Sequence, residues 1–284
     1  MDPGRPSATA FRVAMRRAAH QLLDEPRVLD DPVALRIIGP TRAGALRAER
    51  ATHDSRFARA LRAFLVVRSR LAEDTLAEAV ARGVTQYVVL GAGLDTFAYR
   101  NPFPGGRLRV FEVDHPATQA WKRELLAKTR IAVPPDVTFV PVDFAAQALG
   151  DALGAAGFRT DVPSFFSWLG VTMYLEREAV LGTLGWIATR TPAGSGIVFD
   201  YARARSTLNW FEQLVFWGMA RRVAAVGEPW RTTFVPRELV DVMRALGFSE
   251  VSEWRARDLN ARYLANRADR LRVGTLAGMV SARV

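Results

Sequence analysis

The tripeptide Gly91-Ala92-Gly93 directly follows a short apolar run at residues 86–90. Glycines after a first β-strand let the backbone approach a ligand closely, and many nucleotide-binding folds use such a turn. Thr96 stands where the dinucleotide-binding pattern has its third glycine, which counts against that ligand class. An acid at Asp95 would repel a pyrophosphate, whereas it tolerates the cationic methionyl end of S-adenosylmethionine.

Acidic residues accompany the next two predicted strands. Glu112 lies 19 residues after Gly93, at the predicted end of the second strand, where a carboxylate can accept both hydroxyls of a ribose. Asp143 and Phe144 follow the third strand, and an acid beside an aromatic ring suits an adenine. Taken alone, an acid at a strand end such as Asp143 is more often a cap of the helix that follows. Together these features indicate a ligand site at the carboxyl edge of a sheet.

The elements that position these residues alternate between short apolar runs and helical stretches. This alternation predicts an α/β fold whose mostly parallel sheet is covered by helices on both faces. The predicted strands are 86–90, 108–113, 137–142, 164–169 and 196–200, and the helices between them are 116–130, 145–156 and 176–190. A helix at 235–246, a strand at 248–254 and a last strand within 271–284 complete the prediction.

The chain is predicted to divide near residue 82. Residues 1–82 show helical spacing of apolar residues and form an N-terminal helical cap, and Gly83 is its plausible last helix end. Residues 83–284 form the cofactor-binding α/β domain. Within it, the aromatic-rich segment 202–235 is predicted to be a lid or insertion, with an ordinary buried helix and a subunit interface as alternatives.

Composition excludes several classes of protein. The content of 49% apolar and 24% charged residues is typical of globular domains, and no apolar run has membrane-spanning length. The absence of cysteine excludes disulfides and thiolate metal sites, and no other metal site is predicted. With no signal-peptide pattern at the start, we expect a cytoplasmic location. The net charge of +10 comes from scattered arginines rather than a patch, so we expect no nucleic-acid partner.

Several segments in order resemble the leucine carboxyl methyltransferase family, which includes bacterial polyketide O-methyltransferases. The resemblance extends over about residues 10–200 and rests on Val67–Arg70, Val89–Thr96, Phe111–Pro116, Val142–Phe144 and Gly170–Leu175. Its most specific part is Gly-Ala-Gly-Leu-Asp-Thr followed by Glu-Val-Asp-His-Pro. The resemblance implies a class I methyltransferase-like, Rossmann-type sheet and an S-adenosylmethionine cofactor.

The same resemblance implies roles for individual residues. Arg68 would pair with the methionine carboxylate, Glu112 and Asp114 would address the ribose, and Asp143 with Phe144 would hold the adenine. The complete set of implied cofactor-binding residues is Arg68, Gly91, Ala92, Gly93, Asp95, Glu112, Val113, Asp114, Asp143 and Phe144.

Two positions depart from the family's pattern. Leu169 stands where many members carry an acid, which weakens the expected hold on the amino group of the cofactor. Phe97 stands where an arginine is common. The departure at Leu169 permits an alternative function. In this alternative the chain keeps S-adenosylmethionine as structural support and catalyses a non-methylation reaction or binds a partner. A nicotinamide oxidoreductase is a further alternative, against which the missing third glycine counts.

The acceptor is the least determined part of the prediction. Methyl transfer is an in-line displacement, and a carboxylate acceptor needs no general base, whereas a hydroxyl benefits from one. No histidine has an evident partner, so we predict no catalytic residue and favour a carboxylate over a hydroxyl. Tyr174, Tyr201 and Arg203 are predicted to border the acceptor pocket. By analogy with the family, the acceptor is a small natural-product-like molecule; the sequence predicts no oligomeric state.

Overall fold

The computed structural model describes residues 7–48, 55–103, 105–143, 147–225 and 227–284. Seven strands form one sheet in the order β3-β2-β1-β4-β5-β7-β6, in which β1 to β5 are parallel and β7 runs antiparallel to both its neighbours. The strands are β1 (Gln86–Leu90), β2 (Arg109–Asp114), β3 (Val137–Pro141), β4 (Ser164–Trp168), β5 (Gly196–Ala202), β6 (Glu250–Trp254) and β7 (Ala277–Arg283). The predicted α/β fold class is confirmed.

The helices lie on both faces of this sheet. In the described part of the chain the α-helices are α1 (Ala8–Leu23), α2 (Pro32–Ile37), α3 (Pro40–Ala48), α4 (Arg56–Ala81), α5 (Pro116–Lys128), α6 (Leu149–Ala155), α7 (Arg177–Arg190), α8 (Trp210–Ala224), α9 (Pro236–Ala245) and α10 (Ala256–Tyr263). Helices α3 and α10 were not predicted. No helix among the described residues has both the length and the apolar character needed to cross a membrane.

The central strands are buried at every residue, which explains their near-continuous apolar sequences. Side chains alternate between the two faces of a strand. Tyr87 and Val89 of β1 therefore pack with α4 in one apolar cluster. Val88 and Leu90 pack in a second cluster with α6, α7 and α9. Helices thus cover both faces of the sheet and leave its carboxyl edge to form a site.

The N-terminal helices contribute directly to this packing. Helix α4 lies on β4 and β5, and α1 packs on α2 and α4. Gly83, with φ +104°, follows α4 in the left-handed conformation that terminates helices, as its sequence position predicts. The division of the chain at residue 82 stays a prediction.

Two strands extend beyond their predicted ends. β2 continues to Asp114, which pairs with Pro141 of β3. β5 continues to Ala202 because its last residues pair with the antiparallel strand β7, a partner far away in sequence. The first extension changes which acid of β2 stands at the sheet edge.

Helix α8 lies within segment 202–235, and only one of its fifteen residues is buried. Asn209 and Glu212 form a reciprocal capping box at its start. Trp210 is 80% exposed and Trp217 is 52% exposed, and Phe216 is the buried residue of this helix. The alternative of an ordinary buried helix is therefore wrong, and the choice between lid and interface stays open.

Candidate functional site

A cavity of about 330 Å³ lies at the carboxyl ends of β1, β2 and β4. Its other walls come from α1, from α4 and from residues 227–231, which follow α8. This volume is within the range of small-molecule sites. The place is the one where open α/β sheets bind ligands, because the loops after parallel strands meet there.

The glycine-rich turn forms one wall. Gly91 adopts φ +65° and Gly93 φ +47°. A Cβ atom at Gly91 would lie 2.3 Å from Cγ2 of Val171, so a larger residue does not fit without movement. The Ala92 N–H donates to the carbonyl oxygen of Val113 at 3.0 Å and ties the turn to β2. Val113 itself is buried in the core, and only its main chain takes part.

Asp114 ends β2 and lines the cavity. Its carboxylate accepts hydrogen bonds from the backbone N–H groups of Gly93 and of His115, the latter at 2.7 Å. Burial raises the pKa of Asp114 above its ordinary value, and the two backbone donors oppose this rise. The acid and the glycine turn are thus held together as one unit.

Glu112 occupies a different environment from the one predicted. Its side chain is buried and pairs with Lys122 Nζ at 2.7 Å, and the Tyr99 hydroxyl donates to it at 3.0 Å. Burial raises its pKa, against the effect of Lys122. In the described part of the chain Glu112 is not among the residues that line the cavity. The prediction that Glu112 ends its strand is wrong, because β2 continues to Asp114.

Asp95 lines the cavity but is already paired. Arg17 of α1, only 4% exposed, binds Asp95 and also Asp31 at 2.8 Å and Thr96 Oγ1 at 3.0 Å. Burial alone would raise the pKa of Asp95, but Arg17 together with Lys122, Arg100 and the Phe97 N–H outweighs it and holds the pKa below the usual range. Arg17 was not predicted, since one arginine on a helix of an arginine-rich chain carries no signal of its partners.

Arg68 of α4 lines the opposite side of the turn. Its Nη1 donates to Asp200 of β5 at 2.8 Å, and both side chains are buried. The other oxygen of Asp200 accepts from the backbone N–H of Gly170. Gly170 has φ +75°, and a Cβ there would lie 2.7 Å from Arg68 Nη2. The absence of a side chain at Gly170 therefore makes room for the guanidinium.

Asp143 and His115 line the cavity near Asp114. Asp143 is not the cap of α6, whose N-cap is Ala148. His115 Nδ1 accepts from the N–H of Ala117 at 3.3 Å and caps α5. Phe144, predicted to pack on an adenine, lies outside the described residues.

Three residues were predicted to border the acceptor pocket, and the structure places one of them at the cavity and two elsewhere. Tyr174 lines the cavity. Tyr201 is buried elsewhere and its hydroxyl donates to Glu253 Oε1 at 3.3 Å. Arg203 donates to the carbonyl oxygens of Thr275 and Thr207. Among the described residues, neither Tyr201 nor Arg203 lines the cavity.

Three further residues line the cavity near Tyr174. Leu169 follows β4, as its place in the sequence implies. Glu228 was not predicted; it is 9% exposed, and its Oε2 has no hydrogen-bond partner in the described part of the protein. Arg231 pairs with Glu176 at 2.6 Å in a partly exposed ion pair. Segment 202–235 therefore contributes polar groups to the cavity.

Comparison with known proteins places the chain. Residues 10–188 match the leucine carboxyl methyltransferase family. The chain belongs to this family. A proposed S-adenosyl-L-methionine-dependent methyltransferase of Bacillus subtilis, YktD, is 36% identical over 211 residues, which cover 72% of this chain and 67% of the relative. Another proposed enzyme of this type, from Frankia alni, is 34% identical over 200 residues, or 69% of this chain and 68% of the relative.

The fold has solved counterparts. A proposed methyltransferase from Thermobifida fusca has a TM-score of 0.56 at 17% identity, with 99% of this chain and 96% of that chain covered. At this identity the likeness concerns the fold. Family membership confirms the predicted resemblance and the predicted class, an S-adenosylmethionine-dependent methyltransferase, with its cofactor. Family membership also counts against the alternative of a nicotinamide oxidoreductase.

Proposed function

We propose that this family member transfers the methyl group of S-adenosylmethionine to an oxygen atom of a small molecule, with the cofactor held in the cavity at the sheet edge. The observation that carries the proposal is the unit formed by Asp114 and the Gly91–Gly93 turn on one wall of that cavity. It combines a close backbone approach with an acid at the end of the adjacent strand, which is the arrangement that nucleoside-binding α/β folds use.

The methionine end of the cofactor fits beside Arg68. Asp200 takes one of the five N–H donors of the Arg68 guanidinium, which leaves others for the carboxylate of the ligand. The pair with Asp200 also fixes the side chain before a ligand arrives. Gly91 and Gly93 then allow the methionyl chain to lie against the backbone.

The ribose end fits at Asp114. Of the two acids that the family resemblance assigns to the ribose region, Asp114 lines the cavity, whereas Glu112 pairs with Lys122 in the core. We therefore assign the ribose hydroxyls to Asp114 alone. Asp143, which also lines the cavity, would accept from the amino group of an adenine.

The bound cofactor supplies an electrophilic methyl group on a positively charged sulfur. The residues of the chain hold the ligand, orient the methyl group and surround it with charge. Five carboxylates line the described cavity against three arginines, and each arginine already has a carboxylate partner. This balance supports binding of a cationic cofactor.

The carboxylates that line the cavity also affect which class of acceptor can bind. A carboxylate acceptor, which the sequence alone favours, would add another anion to a cavity whose arginines are all engaged. The lining therefore supports a neutral acceptor, such as a hydroxyl or phenol of a small natural-product-like molecule, over an anionic one.

The test is methyl transfer to a panel of acceptors in matched pairs, each pair comprising a phenol and the carboxylic acid of the same ring. We expect the release of S-adenosylhomocysteine to rise with phenols and not with acids. Turnover with the acids alone would contradict the proposed acceptor. Tight cofactor binding without turnover across the panel would favour the alternative raised by Leu169, in which the cofactor is structural.

A further inference from the structure

Glu228 is a buried acid, and one oxygen of its side chain has no hydrogen-bond partner in the described part of the protein. The residue is 9% exposed, and the oxygen in question is Oε2. A buried carboxylate oxygen without a partner costs free energy, so such groups are retained mainly where a ligand completes them. Glu228 also lines the cavity, which gives that ligand a place.

The position of Glu228 along the cavity follows from its neighbours. The backbone N–H groups of Arg231 and Thr232 both donate to the carbonyl oxygen of Met173. This fastens the segment that carries Glu228 to the short 3₁₀-helix Thr172–Tyr174. The same short helix follows Val171, whose side chain packs over Gly91. The segment that carries Glu228 is therefore connected to the Gly91 end of the turn, whereas Asp114 binds the Gly93 end.

Two polar side chains of this region lie close to Glu228 or to one another. Thr9 of α1 and Tyr174 both line the cavity, and their hydroxyl groups interact. Tyr174 lies within electrostatic reach of both Glu228 and Arg68, and burial raises the pKa of Tyr174. Glu228 thus lies among polar side chains at the end of the cavity that Arg68 and the segment after α8 border.

The remaining carboxylates of the cavity are engaged. Asp95 pairs with Arg17, Glu176 pairs with Arg231, and Asp114 accepts from two backbone N–H groups. Asp143 lies with Asp114 and His115 at the ribose end. Glu228 is consequently the acid best placed to receive a proton or a cation at the methyl end.

We propose that the Glu228 carboxylate faces the methyl group to be transferred and is the proton acceptor for a neutral hydroxyl-bearing acceptor. The acceptor oxygen forms the new bond to the methyl carbon while the carbon–sulfur bond breaks and its electron pair stays on sulfur. The hydroxyl proton passes to Glu228, so charge and atoms balance without another reactant. The proposal rests on the proposed function and adds a residue and an acceptor class to it.

A binding experiment tests this position without knowledge of the acceptor. In sinefungin a carbon that carries a protonated amine replaces the sulfonium and its methyl group, so a positive charge sits where the methyl group would be. S-adenosylhomocysteine lacks that charge but keeps the methionine ammonium, carboxylate, ribose and adenine. Calorimetry with both ligands is carried out on the wild type, Glu228→Gln, Glu228→Asp and Glu178→Gln. Glu178 is an exposed acid of α7 that does not line the described cavity.

We expect Glu228→Gln to lower the affinity for sinefungin about tenfold or more, while the affinity for S-adenosylhomocysteine changes less than about twofold. Glu228→Asp keeps most of the preference for sinefungin, and Glu178→Gln matches the wild type. Retained affinity for S-adenosylhomocysteine shows that each variant is folded. Equal losses of affinity for both ligands would indicate that Glu228 contacts the methionine ammonium, and would overturn the proposal. Unchanged affinity for both ligands would overturn it as well. A wild type that binds neither ligand would overturn the proposed function itself.

Discussion

The two ends of the cavity are built in different ways. At the sheet edge, Asp114 and the Gly91–Gly93 turn are fixed to each other and to β2 by backbone hydrogen bonds. At the other end, the segment after β5 carries the exposed aromatic residues of α8 and Glu228, whose Oε2 has no hydrogen-bond partner among the described residues.

The difference separates two tasks. The sheet-edge end is completed by the protein itself, which suits a cofactor that is the same in every turnover. The end formed by the segment after β5 is left incomplete in its polar groups, which suits a ligand that supplies the missing partners. Substitutions at the first end are therefore expected to cost stability or cofactor affinity, and those on α8 to cost little of either.

The largest effect is expected beneath the sheet edge, at Lys122. Lys122→Met leaves Glu112 buried without its ion-pair partner, and we expect the free energy of unfolding to fall by about 3–5 kcal/mol. Urea denaturation measures this change. The double variant Glu112→Gln/Lys122→Met should recover much of the loss. A loss below about 1 kcal/mol in the single variant would show that the pair does not hold this end together.

Asp114→Asn removes the charged acceptor at the ribose end. We expect affinity for S-adenosylhomocysteine to fall about 100-fold, since two charge-assisted hydrogen bonds are weakened. Glu112→Gln, two residues away on β2, should leave the affinity of the folded protein within about threefold. If Glu112→Gln were the more damaging change for binding, the assignment of the ribose to Asp114 would be wrong.

Asp114 also predicts a pH dependence. Its pKa is raised by burial, and only the ionised carboxylate accepts from both ribose hydroxyls. Affinity should therefore fall as the pH drops through the folded pKa, beginning above the ordinary aspartate value of about 4. Calorimetry across this range measures it, and Asp114→Asn should lose the dependence. Affinity that is constant across the range would contradict an ionised Asp114 at the ligand.

Leu169 offers a change that strengthens rather than weakens the site. If its side chain faces the amino group of the methionine, Leu169→Glu should tighten S-adenosylhomocysteine about tenfold through a charge-assisted hydrogen bond. Leu169→Gln is the neutral control and should gain less. Weaker binding of the glutamate variant would show that the cavity already holds as much negative charge as it tolerates.

The smallest effect is expected on α8. Trp217 is 52% exposed, so Trp217→Ser should change the free energy of unfolding by no more than about 0.5 kcal/mol. Urea denaturation at several protein concentrations measures this and separates folding from self-association. A loss above 1 kcal/mol that depends on protein concentration would make the exposed face of α8 a subunit interface.

The sequence predicted the parts of the fold whose signals are local. β1 has the predicted bounds because an apolar run that ends at glycines needs no distant partner to be recognised. The end of β5 was missed because Tyr201 and Ala202 become strand only by pairing with β7, near the chain terminus.

The site was predicted less completely than the fold. The glycine turn follows from its motif, and Asp114 was implied by the family resemblance. The predicted second strand ended one residue too early, at residue 113, and Glu112 was expected at the sheet edge that Asp114 occupies. Arg17 and Glu228 were missed, because their place in the cavity depends on how α1 and the segment after α8 pack on the sheet edge. Such long-range contacts leave no pattern in one sequence.

The central claim is that the cavity at the sheet edge binds S-adenosylmethionine, and titration calorimetry of the protein freed of copurified cofactor tests it most directly. The account predicts one S-adenosylmethionine per chain, strong loss of binding in Asp114→Asn, and unchanged binding in Glu178→Gln. A wild-type protein that is folded and binds no S-adenosylmethionine, or an Asp114→Asn variant that binds it as the wild type does, would contradict the account.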